Sequence, residues 1–497
     1  METLFYKLMY DRQLKRSMRT LEILYKSKYS VTIKELEKQL QVSQKTVLST
    51  LHLAESLLPN DISLEVINKN IILHNDTNQS IEVVLIDIAK QTIPFQVLEH
   101  VFFDGNLNIR ELAEKLFTSE STLRIRIAHM NKILATYKCR ISFYDVKLLG
   151  EESNIRLFFY AYFSEFQELF ISVTGDRLQY CFDIYNSMKQ LLTQHGDKLL
   201  NYSYQQVERW LLITRDRMEL GKFVSIRETL ANRIRKRPSY QYFKDIFKSE
   251  ITHHLNISTI PESEVIWGYI LGFNCIIYIN DDNRSLYYSD SDNKPYAEKI
   301  TAVLNSVASI LKVLNTDREN FFAVHTAYLL NLSLLAEISP LLQLSSDAVK
   351  NYVATNLMDI YVVWQNCLSD LLDEGLFPNL NTESVATQLA LISSPFIYHQ
   401  KAQPIKALYS FEGEPGLMTH LDMLAKTLLP SNIESVFVHN DPLTIELLKQ
   451  IQPDVIICNH QLPKELDNYN VFRMSYVPQL HEWSLLKDFI APANIIS

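Results

Sequence analysis

The stretch IRELAEKLFTSESTLRIRIAHMNKIL, residues Ile109–Leu134, decides how this chain reads. Apolar Leu112, Leu116, Leu123, Ile127 and Leu134 follow helical spacing on either side of Thr118-Ser119, which predicts helix, tight turn, helix. Ser119 suits the N-cap of the second helix, where its hydroxyl satisfies an orphan backbone donor, and Thr122 stands three residues on. The chain carries the same pattern once more, upstream. Ile33–Leu58 reads IKELEKQLQVSQKTVLSTLHLAESLL. At an offset of 76 residues it pairs Glu35 with Glu111, Leu36 with Leu112, Leu40 with Leu116, Ser43 with Ser119, Thr46 with Thr122, Leu51 with Ile127 and Leu58 with Leu134. Each copy is followed by an alternating segment, ISLEVINKNIILH (Ile62–His74) and RISFYDVKLLG (Arg140–Gly150). The pattern predicts a winged helix-turn-helix, present twice.

In such a unit the second helix enters a DNA major groove and its N-terminal residues reach base edges. In the first copy the candidates are Gln44, Lys45, Thr46, Ser49 and Thr50. In the second they are Ser121, Thr122, Arg124, Arg126 and His129, beside Glu120 and Ile125. Val47 and Leu51, and likewise Leu123 and Ile127, are expected to dock each helix on its scaffold. A single amphipathic helical hairpin would be read just as well as core packing, because the pattern is degenerate. Two copies with matching caps and wings favour nucleic-acid binding.

Length and composition bound the rest. A chain of 497 residues with 47% hydrophobic residues can bury several cores, and three to five domains are expected. Ten Gly residues argue against glycine-rich phosphate loops and against an all-β fold. The start, METLFYKLMYDRQLKR, lacks the apolar core of a signal peptide, and no apolar run of bilayer length stands out, so no membrane partner is expected. Cys139, Cys181, Cys275, Cys367 and Cys458 are odd in number and show no C-x-x-C spacing. They suit buried thiols in a reducing cytoplasm, with no disulfide frame, zinc site or other metal. Residues 1–140 hold 19 Lys and Arg against 16 Asp and Glu, while the remainder holds 29 against 41. A basic head on an acidic body fits a DNA-binding end joined to domains with another task.

In order, residues 1–28 read as helical, with a Leu14, Met18, Leu21 and Leu24-Tyr25 stripe, and Lys15, Arg16 and Arg19 beside it. The first winged unit completes a segment 1–76. A helical connector interrupted at Pro94 leads into the second, within 77–150. An aromatic helix from Asn154 opens a helical bundle, 151–285, which ends at the polar run NDDNRSLYYSDSDNK (Asn280–Lys294). A second helical set follows, 286–403, including one long helix over Ser345–Glu374. From 404 to 497 strands alternate with helices, the signature of a small parallel α/β sheet.

Taken in this order, the chain resembles the Mga family of Gram-positive transcriptional regulators, which includes the anthrax toxin activator. The resemblance covers essentially the whole length. It rests on the paired winged units, on VERWLLITRDRMELG (Val207–Gly221) and on the C-terminal α/β segment. It implies a mainly α multidomain protein with two winged helix-turn-helix units, two bundles like PTS regulation domains (PRD), and a last domain like the B component of a sugar transporter (EIIB). It further implies a non-enzymatic regulator of virulence or other genes. Its expected partners are double-stranded promoter DNA, a second copy of itself, RNA polymerase and a PTS phosphocarrier protein that phosphorylates histidine. No cofactor is implied.

Two departures from the family pattern matter. A phosphotransfer B domain uses a Cys after its first strand, whereas this chain has LYSFEGEPG (Leu408–Gly416) there, so an interaction module is expected and Cys458 reads as a buried thiol. In the bundles the candidate phosphoryl acceptors are His195, His253, His254, His325 and His399. None has an Arg neighbour that would single it out, and His325, on an apolar helix, reads equally as a core histidine. Two other classes stay open: a phosphotransferase-system component with turnover, and a protein-interaction scaffold whose helix pairs are structural.

Overall fold

The computed structural model describes residues 3–27, 30–75, 81–103, 105–165, 175–194, 203–254, 259–276, 278, 294–373, 380–401, 405–429, 433–439, 443–466 and 468–490. The chain divides into two compact units. One comprises Met1–Leu304, Phe322–Asn351 and Gln365–Gln388; the other comprises Asn305–Phe321, Tyr352–Trp364 and Leu389–Ser497.

The first unit opens with two helices in the stretch expected to be helical, α1 (Leu4–Leu8) and α2 (Arg12–Lys26). Asp11 makes the break. Its carboxylate accepts from the N–H groups of Gln13 and Leu14 at 2.8 and 3.1 Å, so a fresh N-terminus is capped there. Then come β1 (Ser30–Thr32), α3 (Ile33–Leu40), α4 (Gln44–Ser56), β2 (Ile62–Ile67) and β3 (Asn70–Asn75). The strands form an antiparallel sheet in the order β1-β3-β2, so the expected hairpin gains a third strand. The connector splits into α5 (Ile81–Lys90) and α6 (Ile93–Phe102), with Pro94 in the first turn of α6, where its missing N–H removes no helical bond. The second winged unit follows as α7 (Ile109–Lys115), α8 (Glu120–Leu134), β4 (Arg140–Ile141) and β5 (Leu148–Leu149), the two strands antiparallel.

The duplication runs deeper than the apolar positions. Thr32 caps α3 in a capping box with Glu35, and Asn108 caps α7 in the same box with Glu111, again at an offset of 76 residues. The bonds from Thr32 hold the Glu35 carboxyl below its ordinary range. Both tight turns place a non-glycine residue in the left-handed region, Gln41 at φ 54° and Phe117 at φ 51°. That conformation costs an L-residue roughly 1–2 kcal/mol, so the turn geometry is held by the packing of the helices around it. Phe117 is also 98% exposed.

The two winged units share one core. A continuous buried cluster runs from Leu4 through Leu21, Leu36, Val47, Phe95, Leu112, Leu123 and Ile127 to Phe158 and Phe163. α9 (Glu152–Glu165) contributes the aromatic end of that core: Phe102 lies 4.5 Å from Phe159, centroid to centroid. A second core in the same unit is built by α10 (Gly175–Gln194), α11 (Tyr204–Glu219), α12 (Glu228–Arg235), α13 (Pro238–His254) and α14 (Glu262–Asn274). Tyr160 stacks on Trp210 at 4.0 Å and 9°.

Between the two cores lies a buried ion network. Arg156 donates to both carboxylate oxygens of Glu264 at 2.7 and 3.0 Å, to Glu152 at 3.1 Å and to the Lys222 carbonyl at 2.9 Å. Glu152 also takes two bonds from Arg217, at 2.8 and 2.9 Å, and Arg217 donates on to the Phe102 carbonyl. Glu264 accepts the Val224 N–H as well. Arg156 and Glu264 are fully buried, so their charges are tolerable only because nearly every lone pair and N–H is used.

Helices α15 (Lys294–Ile310), α16 (Arg318–Ile338), α17 (Asp347–Asn356), α18 (Met358–Asp373) and α19 (Thr382–Lys401) follow. The helix expected over 345–374 breaks at Leu357 into α17 and α18. Among the described residues α16 alone is long and apolar enough to cross a membrane by length and composition, with mean hydropathy 1.4. More than half of its apolar window is buried inside the protein, as in a core helix, which qualifies the expectation that no such run exists.

At the C-terminal end of the second unit, strands β6 (Ile405–Ser410), β7 (Ile433–Phe437), β8 (Val455–Cys458) and β9 (Val471–Arg473) form a parallel sheet in the order β7-β6-β8-β9, with helices α20 (Pro415–Leu428), α21 (Ile445–Ile451) and α22 (Leu480–Ile490). Ala407, Leu408, Tyr409, Ile456 and Ile457 are buried on both faces, as covered parallel strands require. The fold is thus mainly helical, with a small parallel sheet at its end, as the periodicity predicted.

Candidate nucleic-acid interface

Helices α4 and α8 are docked by one stripe each. In α4 the buried positions are Val47, Thr50, Leu51 and Ala54, and in α8 they are Leu123, Ile127, Met130 and Leu134. The opposite stripes face solvent: Gln44, Lys45, Leu48, Ser49 and His52 on α4, and Glu120, Ser121, Ile125 and Ala128 on α8, with Arg124 partly exposed. These stripes occupy the same first, second, fifth and sixth helical positions in both copies. Thr46 and Thr122 are half-buried beside the caps, where the hydroxyl of Thr122 meets Ser119 at 2.8 Å.

Three of the sequence-based candidates are not on this face. Thr50 is buried; its carbonyl accepts from the Ser17 hydroxyl at 3.0 Å, and spacing from Val47 and Ala54 puts it on the docking stripe. Arg126 lies over the Tyr10 ring, 4.0 Å from its centroid. His129 bonds through Nε2 to the Lys7 carbonyl at 2.8 Å. Both therefore turn toward the segment before α2. Arg124 keeps an outward position, but Glu120 one turn earlier takes its guanidinium at 2.7 and 3.0 Å. The exposed stripe of α8 is consequently close to neutral, and that of α4 carries Lys45. Spacing also passed over Leu48, 40% exposed, while Ile125 is 53% exposed. Each copy offers one aliphatic side chain where a thymine methyl can be met.

The histidine candidates divide sharply. His195 lies outside the described residues, and so does the side chain of His399, which belongs to α19. His325 is fully buried within α16, so it has no open nitrogen to accept a phosphoryl group, and the expectation for it is corrected. His253 and His254 close α13. His253 is exposed; His254 is half-buried, 3.1 Å from Asp183 but out of hydrogen-bonding alignment with it.

In the α/β segment the loop after β6 is already tied down. The Phe411 N–H goes to His439 Nδ1 at 3.2 Å and the Glu412 N–H to Asn459 Oδ1 at 2.8 Å, while His439 Nε2 meets Asp422 at 2.5 Å. These two N–H groups are not free to cradle an incoming phosphoryl group. Cys458 is buried at the end of β8, and burial pushes its thiol up from the ordinary range.

Residues 77–163 match the family model of the Mga helix-turn-helix domain, which spans the second winged unit and runs into α9. A protein of Streptococcus pneumoniae serotype 4 named as a trans-acting regulator is 24% identical over 481 residues, 90% of this chain and 92% of its own length. The capsule synthesis positive regulator AcpA of Bacillus anthracis is 22% identical over 322 residues, 62% of this chain and 64% of its own. The anthrax toxin expression trans-acting positive regulator of the same organism is 24% identical over 276 residues, covering 54% and 56%.

Proposed function

We propose, from the premise that this chain belongs with the Mga-type regulators, that it is a non-enzymatic, DNA-binding transcriptional regulator. Its two winged helix-turn-helix units engage double-stranded promoter DNA, one groove helix each. The observation that supports this most is the paired solvent-facing stripe on α4 and α8, held by duplicated caps and turns on one shared core. The test is affinity for promoter duplexes against salt. Each phosphate neutralised steepens the log–log slope by about 0.9, so a regulator gives a steep negative slope. A scaffold gives no shift at any salt.

The finer organisation belongs to the same reading. Segments 1–76, 77–150, 151–285, 286–403 and 404–497 serve as two DNA-binding units, two PRD-like bundles and an EIIB-like interaction module. Five buried thiols suit a reducing cytoplasm. On the last module Tyr476, Val477, Leu480, Leu485 and Phe489 are exposed, which supports self-association and, through two basic heads, tighter DNA binding. Sedimentation of the full chain is expected to give a larger assembly than a chain ending at residue 403; equal masses would remove this module from the contact. Contacts to RNA polymerase would follow from bound DNA. Tuning by a PTS phosphocarrier would act at His253, the exposed candidate among the described residues, by adding about two negative charges. Acid-labile phosphate mapped to His253 after incubation with phosphotransfer proteins is the expected result, and its absence would leave the bundles architectural.

A further inference from the structure

We propose that Tyr10, Arg12, Arg126 and His129 form a phosphate-binding pocket on the flank of the second groove helix. These residues and Asp11 line a cavity of about 520 Å³ open to solvent, between the segment preceding α2 and the side of α8. Arg126 and His129 stand three residues apart on α8 and so share one side of it. At about 100° per residue that side lies roughly a quarter-turn from the stripe of Ser121, Ile125 and Ala128.

The side chains are set for an anion. The guanidinium of Arg126 is fixed over Tyr10, whose ring also meets His129 edge-on at 5.4 Å. Its Nη1 is buried and has no hydrogen-bond partner. An unmade bond from a buried charged donor is costly, so this atom marks where an acceptor belongs. Arg12 is exposed and makes no hydrogen bond or ion pair among the described residues. His129 donates through Nε2 to the Lys7 carbonyl, which leaves Nδ1 to accept the proton of a P–OH group, a bond that a phosphate monoester can supply and a backbone phosphodiester cannot. The one acidic lining residue, Asp11, spends its carboxylate on the Gln13 and Leu14 N–H groups of α2. Two permanently charged guanidinium forks therefore outnumber it, and forks of this shape match phosphate oxygens.

Two sources carry that chemistry. One is a backbone phosphate of DNA lying along the flank of α8, which rests on the reading of α8 as a groove helix. The other is a small soluble phosphate monoester, which does not. The experiment uses the full chain, wild type against Arg12→Gln and Arg126→Gln. In the first arm, millimolar inorganic phosphate replaces chloride at matched ionic strength, and the expected result is a rise in melting temperature that either variant loses. In the second, duplexes carrying single methylphosphonates are titrated. One position is expected to weaken wild-type binding about tenfold and the variants not at all, with the variants' salt slope smaller by about 1. A response in the first arm alone identifies the soluble anion, and one in the second alone identifies the backbone. A phosphate response without any DNA binding keeps the pocket and removes the regulator reading. If Arg126→Gln fails to fold, exposed Arg12→Gln carries both arms. No response in either arm overturns the pocket and leaves the cluster as a weld between α8 and the N-terminal segment.

Discussion

Replacing Glu264 by Ala is expected to lower the stability of the first unit by about 3–5 kcal/mol. The magnitude follows from what remains. Arg156 is fully buried and loses two bonds of 2.7 and 3.0 Å at once, and the Val224 N–H loses its acceptor. Arg156 keeps only the Lys222 carbonyl and a 3.1 Å bond to Glu152, which Arg217 already shares, and a guanidinium in a dry core keeps its charge, so the penalty cannot be relieved by giving up a proton. Urea unfolding followed through Trp210 and Trp267, both buried in the neighbouring core, measures it. The double variant Arg156→Met, Glu264→Leu is expected to lose less than either single change, because exchanging a buried pair for apolar groups is far cheaper than splitting it. A single-variant loss under about 1 kcal/mol would mean that water reaches Arg156 and that the network is not sealed. Since Arg217 links Glu152 to the Phe102 carbonyl at the end of α6, the same network joins the bundle helices to the second winged unit.

Much of this architecture was legible in the chain, and the failures have definite causes. The repeat at 76 residues was visible because apolar spacing and caps are local. Its extension to Gln41 and Phe117 was not, because left-handed residues are normally signalled by Gly or Asn, and neither is present. The break between α1 and α2 falls at Asp11, a good N-cap three residues ahead of the stripe that starts at Leu14. Thr50 carries a hydroxyl that suits the groove, while its spacing from Val47 and Ala54 places it inside. Arg126 and His129 stand about a quarter-turn off the outward stripe by spacing, but what they turn toward is not in the local pattern. Their partners, Tyr10 and the Lys7 carbonyl, lie more than a hundred residues away, and only the assembled core brings them together.

The remaining large effect is on DNA binding itself. Ile125→Glu in the second unit and Ser49→Glu in the first each set a carboxylate on a groove-facing stripe, against base edges and between phosphate rows. Like-charge contact of that kind costs on the order of 3 kcal/mol, about a hundredfold in affinity. Both positions are exposed, so circular dichroism and melting should match wild type, and the loss belongs to the interface. The pair also separates the two copies. If the units share the load, each variant weakens binding and the double abolishes it; if only one helix enters a groove, only its variant responds. Ile125→Ala sharpens the assignment, because an aliphatic side chain in the groove is suited to a thymine methyl. Deoxyuridine at the contacted step removes that methyl, so it should weaken the wild type and leave Ile125→Ala indifferent. Full affinity in both Glu variants would take α4 and α8 out of the groove and return the winged pair to a structural role.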